Sequence, residues 1–181
     1  MFDINLLLIM HAFSHASLLV QLIHIVGRAG SKNSGRMKTM PIPFDGSPDA
    51  NLQFVNAYED DDGTIIIDAI RPDGSNDSRG SSSSSTQWPW ASTISAFQSM
   101  SSKKSLWRYK LHPQKGSLSK ESISNDQVSF GVVNSKMSGQ KHRYIYAAVG
   151  AMGKDVAPPQ GIIKFDLESN TQEYWFPEAY E

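Results

Sequence analysis

The chain has 181 residues, which is enough for one domain with a hydrophobic core. Seventeen Lys and Arg against eighteen Asp and Glu leave a net charge of -1, so no positive field attracts nucleic acid, and we expect no nucleic-acid partner. The absence of cysteine excludes a disulfide scaffold, a thiolate zinc site and a cysteine nucleophile, so a bound metal would need His, carboxylate or amide ligands.

The chain begins with an apolar stretch over residues 6–26. Three histidines and a glutamine interrupt it, which is costly in hydrocarbon, and no Lys or Arg precedes it as a signal peptide would require. We expect residues 1–35 to be an irregular or helical apolar segment with a linker, the alternatives being a strand pair or sequence that is not native to the fold. Membrane association and the native compartment stay open.

Two segments read as loops. Residues 27–40 are rich in Gly, Ser, Lys and Arg, which is typical of a linker. Residues 74–104 contain a run of five serines at 81–85 and are too polar to bury, which predicts a disordered loop between two strands. Within that loop, the indoles of Trp88 and Trp90 are expected to dock on a neighbouring surface.

The rest of the chain predicts short strands separated by turns. Residues 64–70 are β-branched and apolar, with Asp, Gly and Pro on both sides. Hairpins are predicted from residues 106–111 with 118–123 and from residues 161–167 with 172–176, and a further strand from residues 144–149. No long amphipathic helix is predicted after residue 30. This pattern indicates an all-β fold, either a β-propeller or a sandwich.

Four ordered segments carry a resemblance to a known family. Residues 54–59 read Phe-Val-Asn-Ala-Tyr-Glu and lead through an acidic turn into a strand that ends at Asp68. This resembles the signature of carotenoid cleavage oxygenases, which runs His, any, any, Asn, Ala, aromatic, Glu. Residues 106–109, 128–146 and 161–175 resemble later segments of the same family in the same order, so the resemblance covers residues 36–181.

The resemblance implies a seven-bladed β-propeller, of which this chain supplies two to three blades. It also implies Fe(II), dioxygen and oxidative cleavage of a C=C bond in a carotenoid or apocarotenoid, with a cytoplasmic or plastid location. In the family, histidines hold the iron and carboxylates orient several of those histidines, as is common at metal sites.

Three positions bear on the iron site that the resemblance implies. The ligand histidine of the signature, three residues before Asn56, is replaced here by Gln53, and the glutamate that orients it is replaced by Ser129. His11 lies in a segment that resembles a motif around another iron ligand. Of the signature itself, Asn56 and Glu59 are retained. We therefore expect a chain that does not bind iron or catalyse cleavage on its own.

The remaining titratable residues predict no site of their own. His112 and His142 are expected to be solvated, and residues 60–62 to form a solvated acidic turn. Glu59 and Asp68 are expected at a turn and a strand end rather than as a general acid and base.

Three functions are compatible with the sequence. The first is a truncated carotenoid oxygenase. The second is a catalytically inactive propeller fragment that acts as a binding or interaction module and self-associates through open sheet edges. The third is an unrelated β scaffold whose likeness to the family is convergent.

Overall fold

The structure is a computed structural model that describes residues 12–13, 20–27, 30, 34–42, 52–72, 104–150 and 160–177. These residues form three antiparallel sheets of three, four and four strands. The strands are β1 (Ala12–Phe13), β2 (Val20–Val26), β3 (Met37–Ile42), β4 (Gln53–Glu59), β5 (Ile65–Pro72), β6 (Lys104–His112), β7 (Ser117–Ser124), β8 (Val128–Val132), β9 (Tyr144–Val149), β10 (Gly161–Asp166) and β11 (Thr171–Trp175). The predicted all-β class is confirmed.

The first sheet has the order β1-β2-β3. Its strand β2 is rich in β-branched residues, which fit a pleated surface, and it pairs with β3 so that Ile23 opposes Met40. The described part of the N-terminal segment therefore consists of strands, not of a helix. The predicted linker at residues 27–40 overlaps β3, because a strand in register with β2 places Met40 in the core.

The second sheet is a meander with the order β4-β5-β6-β7. All eight residues of β5 are buried, since the sheet is covered on both faces. The predicted hairpin of β6 and β7 is confirmed, and so is the turn before β5. In that turn Asp62 Oδ1 accepts a 2.9 Å hydrogen bond from the Thr64 N–H, and Gly63 has a φ of 78°, which glycine adopts without strain.

The third sheet has the order β11-β10-β9-β8. The predicted strand β9 and the predicted hairpin of β10 and β11 are confirmed. The sequence did not predict β8, because the segment has only five residues and includes a glycine, which is depleted in strands. A bulge between Ser129 and Val132 shifts its register with β9. A single turn of 3-10 helix, Ser135–Met137, lies in the loop between β8 and β9.

Two hydrophobic clusters join the three sheets face to face. The first lies between the first and second sheets and contains Ile23, Ile25 and Met40 packed with Ile65, Ile67, Ala69, Tyr109 and Leu111. The second lies between the second and third sheets and contains Ile70 and Leu106 packed with Val128, Ile145, Ala147, Val149, Ile163 and Phe165. Ile65, Ile67 and Ala69 of β5 enter the first cluster and Ile70 enters the second, so the second sheet is the middle layer of a stack.

Several expectations fall on residues outside the described ranges: residues 74–103 of the predicted Ser-rich loop with Trp88 and Trp90, and the histidine at position 11. Lys104, the last residue of that predicted loop, begins β6. The part of the chain that is described contains no helix long and apolar enough to span a bilayer.

Candidate functional site

A buried ion pair lies at the centre of the second sheet. Asp68 is the fourth residue of β5 and is 0% exposed, and Arg108 opposes it directly on β6. The Arg108 Nε and Nη2 atoms donate to the two Asp68 oxygens at 2.8 and 2.9 Å, which is the bidentate arrangement that guanidinium and carboxylate favour. Burial acts to raise the pKa of Asp68, but the hydrogen bonds and charge of Arg108, together with the nearby His142, outweigh it and lower that pKa.

His142 reaches the same carboxylate from the third sheet. It lies in the β8–β9 loop (residues 133–143), and its Nε2 atom is 3.0 Å from Asp68 Oδ2. This contact is close enough for electrostatic attraction, although its direction departs from that of a hydrogen bond. The His142 ring also packs edge-on against Tyr58, with centroids 5.7 Å apart. Its side chain is only 1% exposed, so the expectation that His142 is solvated was wrong.

The side chain of Asn56 connects β4 to the same loop. Its Nδ2 atom donates to the Gln140 carbonyl at 3.0 Å, and its Oδ1 atom accepts from the Gly139 N–H at 2.9 Å. These two bonds fix the orientation of the amide, so the 2.9 Å contact of Nδ2 with His142 Nδ1 makes Nδ1 an acceptor. We therefore assign the imidazole proton to Nε2, the atom that faces Asp68.

The four side chains form one network that we call the Asp68 network: Asn56, Asp68, Arg108 and His142. Both carboxylate oxygens of Asp68 are engaged and the imidazole is closed to solvent, so neither group can exchange a proton with a bound molecule. The contacts of the network connect β4, β5 and β6 with the β8–β9 loop. The expectation that Asp68 is a strand-end residue was wrong, because β5 continues to Pro72.

The structure brings together the two positions at which the resemblance implies an iron ligand and its orienting carboxylate. Gln53 begins β4, and its Oε1 atom accepts a 3.3 Å hydrogen bond from the backbone N–H of Phe130. Ser129 is the preceding residue of β8 and pairs with Ala148. The resemblance places a histidine and a glutamate at these two positions. Glu59 lies at the other end of β4, opposite Ile65.

The described residues do not fit an iron site. Gln53 presents an amide oxygen that is already bonded to a backbone N–H, and Ser129 presents a hydroxyl group where a carboxylate would orient an imidazole. No group of three or more His, Cys, Asp or Glu side chains is placed to hold a metal ion within the described ranges.

Sequence reasoning missed Arg108 and His142 as members of a site. A signal for Asp68 was present, because a single carboxylate inside the run Ile-Ile-Ile-Asp-Ala-Ile is costly unless it is paired. The partner was harder to find. Arg108 lies 40 residues away and His142 lies 74 residues away, so only the strand register and the stacking of two sheets bring them to Asp68.

Comparisons with a family model, a curated protein and solved structures all match the chain to the same group of proteins. A family model described as retinal pigment epithelial membrane protein matches residues 3–180. The apocarotenoid-15,15'-oxygenase of Synechocystis sp. is 26% identical to the chain over 147 residues, which are 78% of this chain and 26% of that protein. The chain therefore spans about a quarter of the length of this curated relative.

Solved structures show the same relationship in three dimensions. The chain superposes on cobalt-substituted Synechocystis ACO with a TM-score of 0.62 and 25% identity, covering 87% of this chain and 29% of that one. An ACO/RPE65 chimera gives the same TM-score, identity and coverage.

Proposed function

The chain belongs to the carotenoid oxygenase family that the retinal pigment epithelial membrane protein model describes, and we propose that it forms part of an oxygenase propeller without completing the iron site. The reaction of such an oxygenase is the insertion of both atoms of dioxygen across a polyene C=C bond, which yields two carbonyl products. Its substrate would be a carotenoid or apocarotenoid. By itself the 181-residue chain is catalytically inactive under this proposal.

The observation that carries the proposal is the side chain at position 53, which is a glutamine bonded to the Phe130 backbone. A ferrous ligand needs a free lone pair directed at the metal, and neutral imidazole supplies one. The Gln53 oxygen keeps a second lone pair, but the oxygen is directed at the Phe130 N–H and an amide oxygen suits Fe(II) less well than imidazole, while Ser129, next to Phe130, offers no carboxylate. The loss of both members of one ligand pair supports a fold kept without its metal.

The test is the iron content of the anaerobically purified chain after incubation with Fe(II), measured by mass spectrometry on the unaltered chain and on Gln53→His. We expect no stoichiometric iron in either, since one imidazole does not make a ligand set. The same samples, supplied with an apocarotenal and dioxygen, should form no cleavage products. Stoichiometric iron or product formation in the unaltered chain would refute the proposal.

A second candidate is self-association, which one feature of the third sheet favours. Strand β11 lies at the edge of that sheet, and all five of its residues are exposed, including Tyr174 and Trp175. An exposed edge strand offers backbone N–H and C=O groups to the edge of another copy. Light scattering after size-exclusion chromatography should show a mass that rises with protein concentration. A monomer at every concentration would contradict this candidate.

A further inference from the structure

The bulge in β8 contains one of the two non-glycine residues with a positive φ in the described part of the chain. Strand pairing with β9 runs through Val128 and Ser129 and resumes at Val132, after a register shift. Between them, Phe130 has a φ of 54°, in the left-handed region that an aromatic residue rarely adopts. Its ring is 71% exposed, so burial of the ring does not compensate for that conformation.

A residue held in such a conformation persists where its surroundings fix it. Two contacts from β4 and β5 do so here. The Gln53 Oε1 atom accepts from the Phe130 N–H, and the next residue, Gly131, lies so close to Val55 and Ile70 that a Cβ atom would be 2.6 and 2.9 Å from their side chains. The bulge is therefore held between a hydrogen bond on one side and tight packing on the other.

From this geometry we infer that Gln53 is a positioning residue, an inter-sheet strut that fixes the Phe130 bulge and so sets how the second and third sheets dock. The inference rests on the proposed function, because it assigns to position 53 a structural task in place of metal ligation. The strut requires an acceptor on a stem of this length. It does not require the amide N–H groups of glutamine. A side chain of the same length with an oxygen acceptor should therefore replace Gln53, whereas a side chain without one should not.

The chemistry at the two ends fits this role. Phe130 lies in a bulge, where its N–H has left the regular ladder with β9 and is available to an acceptor outside the third sheet. Gln53 supplies that acceptor from 77 residues away in sequence. Three residues further along β4, Asn56 bonds the β8–β9 loop. The two side-chain amides of β4 thus contact the third sheet at two places, Gln53 at the bulge in β8 and Asn56 in the β8–β9 loop.

The test is amide hydrogen exchange at Phe130, measured by NMR on three variants of the full chain. Gln53→Glu keeps an acceptor at the same reach, whereas Gln53→Met keeps the length and removes the amide. Gln160→Met is the matched control, since Gln160 is exposed and lies outside this contact. We expect Gln53→Met to speed exchange at Phe130 roughly 2- to 10-fold, the range that the loss of one net hydrogen bond gives. Gln53→Glu and the control should retain the wild-type rate.

Two results would overturn the inference: an unchanged Phe130 rate in Gln53→Met, or a rate in Gln53→Glu as fast as in Gln53→Met. If Gln53→Met does not fold, Gln53→Asn serves instead, because its stem is one methylene too short and it should also lose protection. If the proposed function is wrong, a different measurement changes. Added Fe(II) would then raise the melting temperature of the unaltered chain, whatever the exchange rates show.

Discussion

The conversion of Asp68 to asparagine tests the Asp68 network most directly. The carboxylate is 0% exposed and accepts two hydrogen bonds from Arg108, whose side chain is itself only 16% exposed. An isosteric amide removes the negative charge and turns an N–H₂ group toward Arg108 or His142. The guanidinium then loses the carboxylate that it bonds and keeps only the exposed Glu121, opposite it on β7, as a counter-charge among the described residues. Breaking a buried pair on one side costs about 3–5 kcal/mol.

Thermal unfolding followed by tryptophan fluorescence measures this loss. For a chain of this size the expected change is a fall in melting temperature of roughly 6–20 °C, at about 2–4 °C per kcal/mol. The control is Lys110→Met, which breaks the exposed ion pair of Lys110 and Glu121 on the neighbouring positions of β6 and β7. An exposed pair contributes about 0–1 kcal/mol, so this control should unfold close to the wild type.

A double variant separates the lost charge from the lost shape. Asp68→Asn combined with Arg108→Met removes both charges and leaves a neutral amide beside His142 Nε2. The double variant should be more stable than Asp68→Asn alone, because no buried charge stays unpaired. The reasoning is refuted if Asp68→Asn costs no more than Lys110→Met, or if removing Arg108 as well lowers stability further.

Two more predictions concern pH and packing. The network lowers the pKa of Asp68 from 3.8, so its stabilisation is present above that pH and is lost as the pH falls through the folded-state value. Between pH 5 and pH 2, urea midpoints should therefore fall less steeply in Asp68→Asn than in the wild type, and equal slopes would contradict this. Gly131→Ala places a Cβ 2.6 Å from Val55, which should cost about 1–3 kcal/mol. Val55→Ala should then cost less in the Gly131→Ala background than alone in thermal unfolding, and strict additivity would show that the two residues do not clash.

Local sequence determined much of this fold. The β-branched run of β5 with its Asp-Gly turn, and the hairpins of β6 with β7 and of β10 with β11, follow from residues that are neighbours in the chain. The family resemblance likewise rested on contiguous motifs, and the family match over residues 3–180 confirms it. Such features were predictable because turn chemistry and alternation act over a few residues.

Strands without those local signals were missed. The polar residues before β3 read as a linker, and only pairing with β2 makes residues 37–42 a strand. In β8, the five residues are few and include a glycine, and pairing with β9 makes them a strand. In both cases the partner strand, and not the propensity of the segment itself, decided the outcome.

The sequence by itself determined which residue stands at each position of the family signature, including Gln53 and Ser129. The tertiary structure alone decided what those residues do. It stacked the sheets so that Gln53 bonds Phe130 and His142 meets Asp68, contacts that join residues 77 and 74 positions apart. The physical reason is that burial and hydrogen bonding depend on what covers a strand, and in a stack of sheets the covering residues come from distant parts of the chain.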